Sequence, residues 1–455
     1  MTRPSLGIVA GFILAIALLG LGATASPAET GRPPARKAAE PATRVPAPTP
    51  MPPGKPGGTL NVMLREDLSQ GFAVHETATI SVVFPSSPCF NNLVMFDPAS
   101  PVESPESVVP ELAERWSWQD NYRNLVMFLR RNVKWHDGQP FTSKDVKFTF
   151  DMVREAPEAQ AKLRLNPRKD WYANVEAIEA ADPYTVVFRL KRPQPSLLML
   201  LASGYSPIYA AHVNPADYRS RCVGTGPFKV KEWRRGEFID YVKNQDYWVK
   251  DRPYLDGLKY VVIVERGTRT AALQSGQLDI AMPGETTKTA AEQLKKAVPQ
   301  LVTTTVATSV TDNIVMNEKK PPFDNVKIRL AVSYAIDRRG LINGVHQGGA
   351  VPAVAMAPKP YGVWGLLDRD FAALPGYGKP ADMKEQAKKL MAEAGYGPGK
   401  PLRVEMVTRA IAVYVDMASF VINELKQVGI EATLKQVETA QWHPMATRGD
   451  YQIGA

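Results

Sequence analysis

"PLRVEMVTRAIAVYVDMASFVINELKQVGIEATLKQV" runs from Pro401 to Val437. Leu402, Val404 and Met406 alternate with polar or charged neighbours, the period-two pattern of a strand with one buried face. A helix is expected from about Val413 to Val428, stopped by Gly429, a residue suited to the left-handed turn that ends helices. "IEATLKQV" then reads as a second strand. Strand, long helix and strand make a βαβ unit, which requires parallel strands and a right-handed crossover. That unit sets the fold class as α/β. "DYQIGA" (Asp450 to Ala455) starts another strand and the chain stops inside it, so the sequence is read as C-terminally truncated.

A second stretch, "KWHDGQPFTSKDVKFTF" (Lys134 to Phe150), places Trp, His, Asp and Gly side by side and raises the question of a catalytic cluster. "NLVMFLR" before it alternates as a strand, with Leu125, Met127 and Leu129 on one face. Asp137-Gly138 is a turn signal, because Gly tolerates positive φ. Thr142 fits an N-cap, with Asp145 three residues on to complete a capping box and with Phe141 and Val146 as a hydrophobic staple. Val146, Phe150 and Val153 follow at helical spacing. Every residue has a structural task, so the stretch reads as a corner and His136 as part of its scaffold.

The rest of the chain follows the same mixture. "GGTLNVML" from Gly57 opens the folded body with a strand. Gly224 to Trp248 reads as two strands joined by an Arg-Arg-Gly turn. Gly257 to Ala281 reads as strand, helix (about Thr268 to Ser275, stopped at Gly276) and strand. Asp324 to Val345 reads as two helices split at Asp337, which can cap the second. No internal repeat is found.

At 455 residues the chain is too long for one core, and two or more domains are expected. The net charge of +9 suggests an anionic partner until its distribution is considered. Arg3 and the basic excess of residues 26–56 supply four of those charges, and no block of like charges remains, so nucleic-acid binding is not expected. Arg3 precedes an apolar run from Leu6 to Leu21, followed by Ala23-Thr24-Ala25, a small-x-small cleavage site. The run is shorter than the ~20 residues needed to span a bilayer. Residues 1–25 are therefore read as a signal peptide, with an uncleaved anchor as the alternative. No Cys follows the run to carry a lipid. Residues 26–56, rich in Pro and Ala and without apolar periodicity, read as an extended, flexible tether. The two cysteines, Cys89 and Cys222, are open to either reading, a disulfide in an exported protein or two buried thiols.

Searches for chemistry return little. The five histidines (His75, His136, His212, His346 and His443) lack paired spacing, so no metal site is expected. There is no G-x-S-x-G elbow. "GYGPGKP" (Gly395 to Pro401) fails as a phosphate loop, since Ala394 stands at the first Gly position and Pro401 replaces Ser or Thr. It reads as a helix end and turn. No cofactor and no enzymatic activity are expected.

"PELAERWSWQDNYRNLVMFLRRNVKWHDGQPFTSKDVKFTF" resembles the signature of the extracellular solute-binding proteins of family 5, the peptide- and nickel-binding components of ABC importers. "GTGPFKVKEW", "NQDYW", "LQSGQLDIA", "NEKKPPFDNVKIRLAVSYAIDRRGLI" and "KKLMAEAGY" resemble its other recurring segments, in order, over about Gly57 to Ala455. The resemblance implies a two-lobed clamshell of the large three-domain type, with domain I at 57–88 and 200–305, domain II at 89–199 and domain III at 306–455. It implies a periplasmic, monomeric protein that captures an oligopeptide or small solute and passes it to an inner-membrane permease. A secreted hydrolase on a similar body, or a sensory binding subunit, are the alternatives.

Ligand contacts are expected from interlobe connections and strand ends. The candidates are His75 after the first strand, Tyr205 in "ASGYSP", Asn317 at the second crossing, and Thr408 and Arg409 after "VEMV". Arg409 ends a strand beside a helix start, where its planar guanidinium suits a bidentate carboxylate pair. Relatives often carry a Pro- or Asn-containing turn there. "AIAVYV" in its place suggests a more apolar pocket edge.

Overall fold

The computed structural model describes residues 46–50, 52–304, 310–354, 359, 365–371 and 373–455. Within them the βαβ unit forms as its pattern dictates. Leu402–Arg409 pairs in parallel with Ile430–Val437, from Leu402 opposite Ile430 to Arg409 opposite Val437. The helix Ala412–Lys426 connects them and buries Ala418, Val421 and Leu425 against Val404 and Met406. Ile453–Gly454 adds a third strand parallel to Leu402–Arg409, and Val315–Met316 pairs antiparallel to it. The helices Val326–Ala335 and Pro380–Glu393 pack on this sheet's core. As expected, Asp337 caps the next helix, Arg338–Gly344, by accepting from the Gly340 N–H at 2.9 Å.

A second core gathers most of the preceding residues, from Val62 to Leu294. One sheet there has the order Thr59–Leu64, Gly257–Val262, Phe238–Lys243, Phe228–Arg234, with only the first pair parallel. The other is antiparallel throughout, in the order Ala113–Gln119, Asn124–Leu129, Thr185–Leu190, Val175–Asp182. Two cores, divided between Leu294 and Phe323, give the two lobes.

The Lys134–Phe150 corner is built as its residues require. Leu125, Met127, Leu129, Val133, Trp135 and Phe141 are all buried, Gly138 has φ +91°, and Thr142 with Asp145 closes a capping box on the helix Ser143–Val153. The connection is locked to a distant turn. His136 Nε2 lies 3.0 Å from the Gly226 carbonyl, and its Nδ1 accepts from the Gly224 N–H at 3.3 Å. Gly224 and Gly226 pass so close to the Cys89 main chain that a Cβ on either would fall 1.8 and 2.5 Å from its atoms. Cys89 and Cys222 form a disulfide across this junction, closing 133 residues of chain separation.

One expectation is corrected. The strand expected at the end of Gly257–Ala281 reduces to one isolated bridge, Ile280 to Val62, after the helix Arg266–Gln274. Of the tether expected over 26–56, residues 26–45 and 51 lie outside the described residues; Thr49 donates from N and Oγ1 to Asp97 Oδ2 at 2.9 and 2.5 Å, and just beyond it the Gly57 N–H donates to the Tyr254 carbonyl. The signal-peptide stretch lies outside the described residues. Among those described, no helix is long and apolar enough to cross a membrane.

Candidate interlobe binding site

The first strand ends at Leu64 and delivers Arg65 and Glu66 to the face where the two cores meet. Arg65 is 7% exposed and pairs through Nη1 with Glu285 at 2.5 Å, while Arg269 Nη2 holds the other Glu285 oxygen at 3.0 Å. Burial opposes the Arg65 charge, but Glu285 outweighs it and its pKa is raised. Glu66 accepts from Ser81 Oγ within its own lobe, and from Thr439 Oγ1 of the other lobe at 2.6 Å. Nearby, Arg266 and Asp416 form a second cross-lobe pair at 3.2 Å.

Opposite this cluster stands Arg409, at the end of its strand and half-buried. Its guanidinium lies over the Tyr414 ring at 4.0 Å, and among the described residues no carboxylate lies within ion-pair distance. Burial lowers its pKa, Arg65 adds to the effect, and Tyr414 and Glu66 oppose it. Arg65 and Arg269 therefore share Glu285 and Arg266 has Asp416, whereas Arg409 is left without an acid among the described residues. A planar guanidinium on an aromatic face, partly desolvated and without a counter-ion, is suited to an oxyanion.

Tyr205 reaches the same region from the first lobe. It is half-buried, stacks edge-on with Trp171 at 5.8 Å and hydrogen-bonds the Ala78 carbonyl at 3.4 Å. Burial raises its phenol pKa, with Arg168 and Arg409 both acting against the shift. Arg409 and Tyr205, separate in sequence, are thus close enough in space to interact.

The other three candidates are not brought to the cleft, and each has a physical reason. His75 is fully buried. Its Nε2 meets the Pro207 carbonyl at 2.8 Å, its ring packs on Tyr209 at 4.6 Å, and burial with the nearby Arg168 charge drives its pKa well below the ordinary value. Thr408 is also fully buried, its hydroxyl donating to the Ala455 carbonyl at 3.1 Å. Asn317 ties a turn together, donating from Nδ2 to the Gly449 carbonyl at 2.8 Å and accepting the Lys319 N–H.

The helix Thr439–Arg448, which supplies Thr439 and carries Pro444 inside it, lies in a stretch for which the sequence pattern assigns no element. A cavity of about 260 Å³ is lined among others by Asn91, Asn92, Glu103, Glu111 and Gly204. Among the described residues no cluster of His, Cys, Asp or Glu is arranged to hold a metal ion.

Comparison with known proteins agrees with the two-lobed fold. The profile of the bacterial extracellular solute-binding proteins, family 5, matches residues 107–455. The chain is 28% identical to heme-binding protein A of Haemophilus influenzae over 393 residues, covering 81% of this chain and 68% of that protein. It is 27% identical to the glutathione-binding protein GsiB of Salmonella choleraesuis, covering 72% of this chain and 61% of that one. Among solved structures, the binding protein MoaA of A. tumefaciens R10 in complex with mannopinic acid superposes with a TM-score of 0.74 at 26% identity, covering 88% of this chain and 77% of that one.

Proposed function

This chain belongs to the bacterial extracellular solute-binding proteins of family 5, and from that premise we propose that it captures an acidic small solute or short peptide between its lobes and delivers it to an ABC permease. In this reading the protein is exported to the periplasm and acts as a monomer without chemical turnover. The domain limits implied by the resemblance, 57–88 with 200–305, 89–199 and 306–455, belong to the same proposal. The observation that carries the ligand class is Arg409, half-buried on Tyr414 with no carboxylate partner among the described residues. Relatives whose names specify glutathione and mannopinic acid support an acidic solute. Ligand that touches both lobes only in the closed form shifts the population to that form by its differential affinity. Tyr205 would flank the ligand from the first lobe.

The test is native mass spectrometry of protein purified from its own periplasm, followed by titration of the co-purified solute into ligand-free protein. An intact solute with an acid group, retained stoichiometrically, is expected. Arg409→Lys should already weaken it, since an ammonium cannot reproduce the planar fork, and Arg409→Ala should cost about 2–5 kcal/mol of binding. Cleavage of the solute, or unchanged affinity in both variants, would overturn the reading.

A further inference from the structure

His443 carries a nitrogen that the fold itself does not use. The helix Thr439–Arg448 turns Thr439 towards Glu66 across the seam. His443 follows four residues later, about one helical turn, and therefore shares that face. Its Nε2 is buried and has no hydrogen-bond partner among the described residues. Native structures rarely leave such a group unsatisfied unless something else meets it. The charged groups acting on the ring are Arg409, from the strand beside it, and Glu66, from the other lobe. Tyr414 and Arg65 stand behind Arg409.

We propose that His443 is a specificity-determining residue of the interlobe site, its Nε2 meeting one oxygen of an oxyanion whose other oxygen is held by Arg409. The inference rests on the binding reading above and narrows it to solutes presenting two free oxygens side by side, as a carboxylate does. A neutral imidazole with its proton on Nε2 is a single donor, and a guanidinium beside it supplies a second. Together they add a neutral donor to the guanidinium, so that both oxygens of the acid group are met from two sides. Burial and Arg409 push the His443 pKa down to about 4, with Glu66 opposing, so the empty site holds the neutral ring at physiological pH. An anion placed between the two residues offsets the repulsion from Arg409, and the imidazole then binds a proton more readily. Binding of an acid should therefore take up protons, and affinity for its ionised form should rise as pH falls towards 4.

The probe is succinate, a simple dicarboxylate, added in excess to the full chain while imidazole and guanidinium resonances are followed by NMR across pH. The His443 signals are identified by their loss in His443→Gln. Without succinate His443 should titrate near 4. With succinate its midpoint should move up by about one unit or more, equivalent to tenfold tighter proton binding, and Arg409→Ala should abolish the movement. His443→Gln, which keeps a donor, should bind succinate within a few-fold of wild type but lose the pH dependence. His443→Leu should weaken binding roughly tenfold, the effect of about one hydrogen bond to a charged group. If succinate perturbs the Arg409 resonance while His443 is unmoved, the role of His443 is overturned and the binding reading stands. If neither residue responds, both fall.

Discussion

Glu111 shows how far a single side chain can depart from its ordinary behaviour here. Its oxygens accept from Asn91 Nδ2 at 2.6 Å and from the Asn92 N–H at 2.7 Å, yet burial outweighs both and pushes its carboxyl up to about 7. The folded protein therefore holds a proton that the unfolded chain, near its usual 4.5, releases. The native state holds this extra proton between those values, so the Glu111 contribution to stability falls as pH rises from about 4.5 to about 7 and is level above, opposite in sign to that of the buried His136, whose pKa is lowered to about 4. Glu111→Gln should remove that falling component, making the slope of stability with pH more positive in this window, and should also cost about 1 kcal/mol for the acceptor it removes. Urea unfolding at intervals from pH 4.5 to 8 checks this. An unchanged slope in the variant would assign the dependence elsewhere. The same scale explains which placements were legible. The position of Arg409 was, because the alternating pattern ends there and a helix starts just after it. Thr408 precedes it on a strand whose neighbours point to opposite faces, so Arg409 turned to the seam implies Thr408 turned away. His75 and Asn317 were not legible, since burial beneath Pro207 and bonding to Gly449 depend on partners more than a hundred residues distant.

Elements whose stability is local were readable from local sequence. The Thr142–Asp145 box, the Asp337 cap and the Gly429 stop need only neighbours within a turn, and all three form. The helix Thr439–Arg448 has a weaker local signal, because Pro444 lies inside it and removes one N–H. Its place is set instead by Thr439 against Glu66 and by Trp442, which crowds Gly454. The Trp135–Thr142 corner offers the direct test of local logic. Gly138 has φ +91° and no atom near the position of a Cβ, so a side chain there meets open space but a disfavoured backbone. Gly138→Val should lower stability by roughly 1–3 kcal/mol through backbone strain alone. Gly138→Asn should recover part of it, because Asn tolerates positive φ better. Thermal unfolding of both variants separates backbone strain from lost packing: equal losses would contradict it. His136 belongs to this element and not to the binding site. Burial lowers its pKa to about 4, and the Gly224 N–H and Gly226 carbonyl hold the neutral ring in one tautomer.

At the scale of the whole molecule, two cores share a seam crossed by few direct bonds, and the closed arrangement depends on their sum. Glu66 is the clearest of them. Its Oε1 is occupied by Ser81 from its own lobe whatever the lobes do, whereas Oε2 is met by Thr439 only when they are together. Opening exposes both partners to water, which replaces the bond at little cost, so its net worth to the closed form is about 1 kcal/mol. A change of that size moves a two-state equilibrium about fivefold. Thr439→Val keeps the side-chain volume, removes the hydroxyl, and should shift ligand-free protein towards the open form without altering its melting temperature, since each lobe keeps its own core. Apparent affinity for the natural solute should fall by the same factor, because the binding-competent fraction scales it directly. Single-molecule energy transfer between labels on the two lobes reads the population, and titration reads the affinity. A fall in affinity with no change in the distance distribution would make Thr439 a direct ligand contact instead of a lobe-to-lobe tie, and no change in either would leave the closed form to the other cross-lobe contacts, Arg266 with Asp416 and Thr287 with Gln347.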